Sequence, residues 1–182
     1  MAKYGWLLDP KRCIECRACE AACKQWNGVE TGVGLRYRLV HVAESGKFPA
    51  VTTQALSLAC NHCDNAWCVK VCPVKAIRRR DDGIVLIDRD ACVGCRECEK
   101  FCPYQVPQFN ATAKKVEKCT MCADRIDQNL QPACATLCPT EALQWGKWDD
   151  IRGQGTGQVA GFTDPQYTRP NIRFLTEPWA VK

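Results

Sequence analysis

The stretch CVGCRECEKFCP, residues 92–103, packs four cysteines into eleven positions and closes the set with a proline. Disulfide, zinc and iron–sulfur chemistry could each start from such a string, and the other cysteines decide between them. The 182-residue chain holds 16 cysteines, which fall into four groups of four with none left over. Cys13, Cys16, Cys19 and Cys23 make the first group, and Cys60, Cys63, Cys68 and Cys72 the second. Cys92, Cys95, Cys98 and Cys102 make the third. The fourth is spread out, with Cys119 and Cys122 followed by Cys134 and Cys138.

A disulfide framework belongs to an oxidising compartment and usually to a small secreted chain. The opening MAKYGWLLDPKRC carries no charged-then-apolar leader pattern. Structural zinc takes two C-x2-C pairs per ion across a longer spacer, which leaves a triplet plus one cysteine unexplained. The recurring C-x2-C-x2-C-x3-C, mostly followed by proline, is the spacing of a bacterial-type [4Fe–4S] run. Two-residue gaps let one loop offer three thiolates to one cubane, while the fourth cysteine ligates the neighbouring cluster. A residue before proline is biased to extended backbone, which turns the chain out of the site. Pro73, Pro103 and Pro139 do this in three groups; Lys24 holds that place in the first, so a different exit is expected there.

Residues 60–103 read as a nearly complete two-cluster ferredoxin. Between groups two and three, PVKAIRRRDDGIVLID predicts a β-hairpin with strands at 76–80 and 84–88 and Asp82-Gly83 in its turn. Groups two and three therefore pair, and groups one and four form a second unit nested around them. The expected ligand sets are Cys13, Cys16, Cys19 with Cys138; Cys119, Cys122, Cys134 with Cys23; Cys60, Cys63, Cys68 with Cys102; and Cys92, Cys95, Cys98 with Cys72. The fold class expected is α+β. Residues 1–28 plus 104–145 make one ferredoxin-like unit, 60–103 the other, 29–59 a hairpin insert and 146–182 an extended tail.

Within the insert, residues 35–42 and 48–58 would pair across a turn at 44–47. Residues 123–133 predict one short helix ending near Pro132. The tail is rich in Gly, Pro and polar residues, so it is expected to strap over the surface or dock on a partner. Its GQGTG has neither the flanking strand and helix nor the Lys-Ser/Thr of a phosphate loop. Trp26, Trp67, Trp145 and Trp148 are expected to keep water from the cluster loops. His62 is expected at the surface, as are Arg78, Arg79 and Arg80 on the hairpin edge; His41 and His62 suggest no haem.

The formal charge of +5 counts every cysteine as neutral. A cubane with its four thiolates carries about 2−, so four of them would take the protein to about −3. That balance gives little support to nucleic-acid binding. With four protein ligands per cluster no iron keeps an open position, which argues for electron transfer and against an enzyme. No apolar run reaches the roughly 18 residues of a membrane span.

YGWLLDPKRCIECRACEAACK (4–24), CNHCDNAWCVKVCP (60–73), the CVGC run with its CPYQVPQFN, then KCTMCADRI (118–126) and ACATLCPTEAL (133–143) together resemble the four-cluster electron-transfer subunits of the dimethyl sulfoxide reductase family. The likeness covers about residues 4–145, and YTRPNIRF in the tail is similar as well. The resemblance implies four [4Fe–4S] clusters relaying single electrons in anaerobic respiration. It implies a large molybdopterin (molybdenum or tungsten) catalytic partner and a membrane anchor that exchanges electrons with quinol. Some relatives hold a [3Fe–4S] cluster where a third-group cysteine is replaced; with all four present here, four cubanes are expected. Such subunits are peripheral, and family members without a signal can reach the periplasm with a partner that carries one, so both a periplasmic and a cytoplasmic home stay open. A hydrogenase or carbon monoxide dehydrogenase electron-transfer subunit, and a free polyferredoxin, are the alternatives.

Overall fold

The computed structural model describes residues 2–32, 34–158 and 163–175. It is α+β, built from short hairpins, one three-stranded sheet and small helices. The three-stranded sheet has β1 (Tyr4–Leu8) at its centre, where Trp6, Leu7 and Leu8 are buried. On one side β1 pairs antiparallel with β8 (Leu143–Lys147), and on the other it pairs parallel with β9 (Ile172–Phe174). Both flanking strands come from the far end of the chain.

α1 (Ala18–Asn27) buries Cys19, Ala22 and Cys23 along one stripe, the i, i+3, i+4 spacing that faces a helix to a core. It ends at Gly28 in the left-handed conformation, whose N–H reaches the Lys24 carbonyl. Because Lys24 stands where the other groups have proline, the helix runs on past Cys23, the different exit that the sequence predicted.

β2 (Arg38–Lys47) and β3 (Ala50–Ala59) form a long antiparallel hairpin. The turn is not at 44–47: pairing continues to Lys47 and Ala50, and Phe48 and Pro49, joined by a cis peptide, make a two-residue loop. Gly46 makes this closure possible, because a Cβ there would run into the Ala50 carbonyl. Only the base of the hairpin is buried, and there on both faces, since the neighbours Ala55 and Leu56 are both covered. Val40, Ala55, Leu56 and Ala59 pack with Trp6, Leu8, Cys19, Cys23, Cys119 and Cys134, while the tip is exposed.

β4 (Ile77–Arg79) and β5 (Val85–Ile87) pair as the sequence predicted. Arg80 and Ile84 close a three-residue loop with Gly83 at φ 84°, the left-handed position such a loop requires. Between groups three and four a hairpin of the same size, β6 (Gln108–Asn110) with β7 (Lys115–Glu117), was not foreseen. Nor is 123–133 a single helix. α4 (Ala123–Ile126) stops short, Asn129 turns left-handed, and Pro132 caps the start of α5 (Ala133–Thr136) instead of ending a helix. The other short helices are α2 (Trp67–Lys70), α3 (Glu97–Lys100), α6 (Trp148–Ile151) and α7 (Pro165–Thr168).

Within the segment after residue 145, residues 168–174 are built into the molecule and do not strap over its surface. Ile172 and Phe174 are core residues, and the Thr168, Arg169 and Asn171 backbones hydrogen-bond the group-two loop at Asn65, Asp64 and Asn61. The remainder of that expectation, at 159–162 and 176–182, lies outside the described residues.

Candidate iron–sulfur sites

One backbone device recurs in all four cysteine groups. The residue just before the second cysteine is left-handed: Glu15 at φ 60°, His62 at 44°, Gly94 at 70° and Met121 at 56°. Groups one and three repeat it one residue after that cysteine, at Arg17 and Arg96. Such turns aim backbone N–H groups inward. The Met121 N–H lies 3.3 Å from Cys119 Sγ, and the Leu143 N–H 3.4 Å from Cys138 Sγ. A second device follows each Cys-Pro. Lys75, Gln105 and Glu141 are left-handed and donate to the carbonyls of Cys72, Cys102 and Cys138. These turns lead the chain into β4, β6 and β8 respectively.

None of the sixteen cysteines is joined in a disulfide. Cys13, Cys16, Cys19 and Cys138 line one cavity of about 20 Å³. Cys60, Cys63, Cys68 and Cys102 line another of about 30 Å³, closed by Ala66, Val85, Val106, Lys118 and Thr168. Burial, reinforced by the neighbouring Cys119, Cys134 and Cys122, pushes the Cys23 thiol well up. Cys98 is pushed up to about 11 by burial and then by Cys92, Cys95 and Cys72. Cys138 thus lies beside Cys13, Cys16 and Cys19, and Cys102 beside Cys60, Cys63 and Cys68. Soft thiols in sets of four are the donor set that iron–sulfur clusters take, and the inward N–H groups suit a sulfur-rich anion. Cys16 and Cys95 are the exposed members, so two of the sets reach the surface.

Several polar residues around the thiols carry little or no sequence signal. The Asn27 amide donates to the Cys23 carbonyl at 2.9 Å and lies 3.8 and 3.7 Å from the sulfurs of Cys23 and Cys122. Ser57 Oγ lies 3.2 Å from Cys19 Sγ. Lys118 is buried and donates to the carbonyls of Val85 and Cys119. The i+4 spacing of Asn27 from Cys23 on α1 was the one available hint.

His62 is not at the surface. It is 1 % exposed, and its Nδ1 accepts the Val85 N–H at 3.0 Å, which leaves the proton on Nε2. Burial, with Lys118 and Arg38 adding to it, holds its pKa well below the usual histidine value, so it is neutral. The hairpin arginines divide. Arg78 is exposed and pairs with Asp88 of its own hairpin, whereas Arg79 pairs with Asp64 and Arg80 with Asp82 and Asp127, tying β4 to the group-two loop and to the segment after α4. Of the four tryptophans expected to exclude water, Trp26 and Trp67 are exposed. Trp26 instead donates to Asp124 and lies under Arg125, and Trp145 stacks on Tyr4. Among the described residues, the tryptophan buried in the core is Trp6.

Comparison with known proteins agrees with these loops. A family model for a 4Fe-4S dicluster domain matches residues 51–148, and one for a 4Fe-4S binding domain matches residues 10–28. The B subunit of the anaerobic dimethyl sulfoxide reductase of Escherichia coli K12 is 37% identical, across 93% of the present sequence and 87% of that protein. The protein belongs to the iron–sulfur subunit family of the dimethyl sulfoxide reductases. This iron–sulfur subunit is also 32% identical to the B subunit of the Haemophilus influenzae anaerobic dimethyl sulfoxide reductase, over 94% of its own length and 88% of that protein's. With the thiosulfate reductase electron transfer subunit PhsB of Salmonella typhi it shares 39% identity, over 81% and 78%. It binds [4Fe–4S] clusters. None of the helices among its described residues is long and apolar enough to cross a membrane.

Proposed function

We propose that this iron–sulfur subunit relays single electrons through four [4Fe–4S] clusters between a large molybdopterin subunit and a membrane quinol-linked anchor or another redox partner. The observation that carries the reading is the complete supply of cysteines: sixteen outside any disulfide, falling into four groups of four along the sequence. Each iron of four cubanes then has a protein thiolate, and none keeps an open position for substrate, so the subunit itself is not the catalyst. The ligand sets are Cys13, Cys16, Cys19 and Cys138; Cys23, Cys119, Cys122 and Cys134; Cys60, Cys63, Cys68 and Cys102; and Cys72, Cys92, Cys95 and Cys98. The two cavities, the thiol neighbours of Cys23 and Cys98 and the repeated left-handed turns support this crossing. What a bound cubane supplies is a site that takes up and gives back one electron. The residues supply inward N–H groups, low-polarity walls and the spacing between sites. Electrons enter and leave at the sets containing the exposed Cys16 and Cys95, and the subunit is peripheral in its complex.

The test is metal analysis of the complex that co-purifies with this subunit under anaerobic conditions. About 16 irons per subunit with one molybdenum or tungsten supports the reading. Iron with nickel would move the subunit to a hydrogenase or carbon monoxide dehydrogenase system, and iron alone, with no large partner, to a free polyferredoxin.

A further inference from the structure

Arg38 opens β2 and is 2 % exposed. Taking a guanidinium out of water is costly unless its charge and its N–H groups are matched. Here the match among the described residues is incomplete. Nη1 donates to the Ser57 carbonyl at 2.9 Å and to Ser57 Oγ at 3.2 Å, and the guanidinium lies 4.4 Å over the Trp6 ring. Nε and Nη2 have no hydrogen-bond acceptor among the described residues, and no carboxylate faces the group. Its charged neighbours would be cysteines. Burial lowers its pKa, and Cys134, Cys119, Cys19 and Cys23 outweigh that and raise it. These four thiols belong to two of the sets proposed above, and they share one core cluster with Trp6, the ring that the guanidinium lies over. Ser57 extends the arrangement: its Oγ accepts from Arg38, which frees its own proton for Cys19 Sγ at 3.2 Å.

We propose that Arg38 is the potential-setting residue of the two clusters held by Cys13, Cys16, Cys19 and Cys138 and by Cys23, Cys119, Cys122 and Cys134. Its charge and the unpartnered N–H donors of Nε and Nη2 favour the added electron at both, and Ser57 passes a hydrogen bond to the first alone. This rests on the ligand sets proposed above. The other two sets have different surroundings. Lys118 lies against the Cys60 set with its ammonium on two carbonyls, and the exposed Arg96 and Lys100 beside Cys95 are paired with Glu99 and Glu97.

The experiment is an anaerobic redox titration of the holo-complex followed by EPR, with iron counted in each sample. Arg38→Gln is expected to weaken electron uptake at least tenfold at two of the four clusters, a lowering of 59 mV or more, and to leave the other two in place. Arg38→Lys, which keeps the charge, should recover most of the shift. Ser57→Ala should lower one cluster only, the one whose signal changes in Cys16→Ser. Four unmoved potentials at full iron content, or an equal shift of all four, overturn the proposal. Should Arg38→Gln fail to assemble, Ser57→Ala decides, and an unmoved potential there overturns it. Failure of the ligand sets themselves shows separately, as a wild-type iron count away from sixteen per subunit or as no change of any signal in Cys16→Ser, and removes the inference with them.

Discussion

A left-handed residue before the second cysteine of each group costs a non-glycine side chain about 1 kcal/mol or more, yet Glu15, His62 and Met121 all accept it. Group three alone uses glycine. The reason is local, since a Cβ on Gly94 would strike the Lys114 carbonyl of the β6–β7 loop. Gly94→Ala should therefore cost about 2 kcal/mol, seen as a lower melting temperature of the holo-protein with the cluster at Cys95 the first to be lost. Cys95→Ser should lose or convert one cluster and interrupt electron flow to the catalytic partner. Iron content and turnover of the complex measure this, and unchanged values for both would defeat the ligand set. At this scale the cysteines were legible because their spacing is itself the chemistry. His62 and Arg38 were not, because the burial of a polar side chain is decided by strands far away in sequence: β5 for His62, and β1 and β3 for Arg38.

Among the elements, the short strands obey one rule that the sequence only half displays. Each Cys-Pro exit turns through a left-handed residue into a strand, giving β4, β6 and β8. The first of these was readable from Asp82-Gly83 and flanking alternation. The β6–β7 pair was not, because three-residue strands around NATAK offer too little periodicity. β9 was missed for a stronger reason. It too has three residues, and its partner β1 begins at Tyr4, so no local pattern reveals the pairing. Its packing nevertheless holds the sheet together, with Phe174 fully buried against the core and the Leu175 N–H on the Leu8 carbonyl. Phe174→Ala should cost about 3–5 kcal/mol, measured by denaturant unfolding of the assembled protein. A loss under 1 kcal/mol would mean that the C-terminal segment is dispensable to the core.

For the whole molecule, the cores take in cysteines. Cys19, Cys23, Cys60, Cys119 and Cys134 belong to the larger apolar cluster, and Cys92 and Cys98 to the one beneath β4 and β5. With these cysteines packed among the apolar side chains, cluster binding and folding are expected to be coupled. Stripping iron with an oxidant and chelator should abolish the near-UV circular dichroism and the cooperative melt, where a protein with an independent core would keep both. The expected α+β class and the cysteine grouping were readable because they rest on counts and spacings. The long-range assembly of β1 with β8 and β9 was not, because it depends on contacts spanning nearly the full sequence.

The crossing of cysteines between groups is the claim on which the relay depends, and anomalous diffraction at the iron edge from the anaerobic holo-complex tests it most directly. Four separate iron maxima are predicted, the first bounded by Cys13, Cys16, Cys19 and Cys138, and the other three likewise by three cysteines of one group and one of another. A maximum enclosed by Cys13, Cys16, Cys19 and Cys23, all from a single group, would contradict the account.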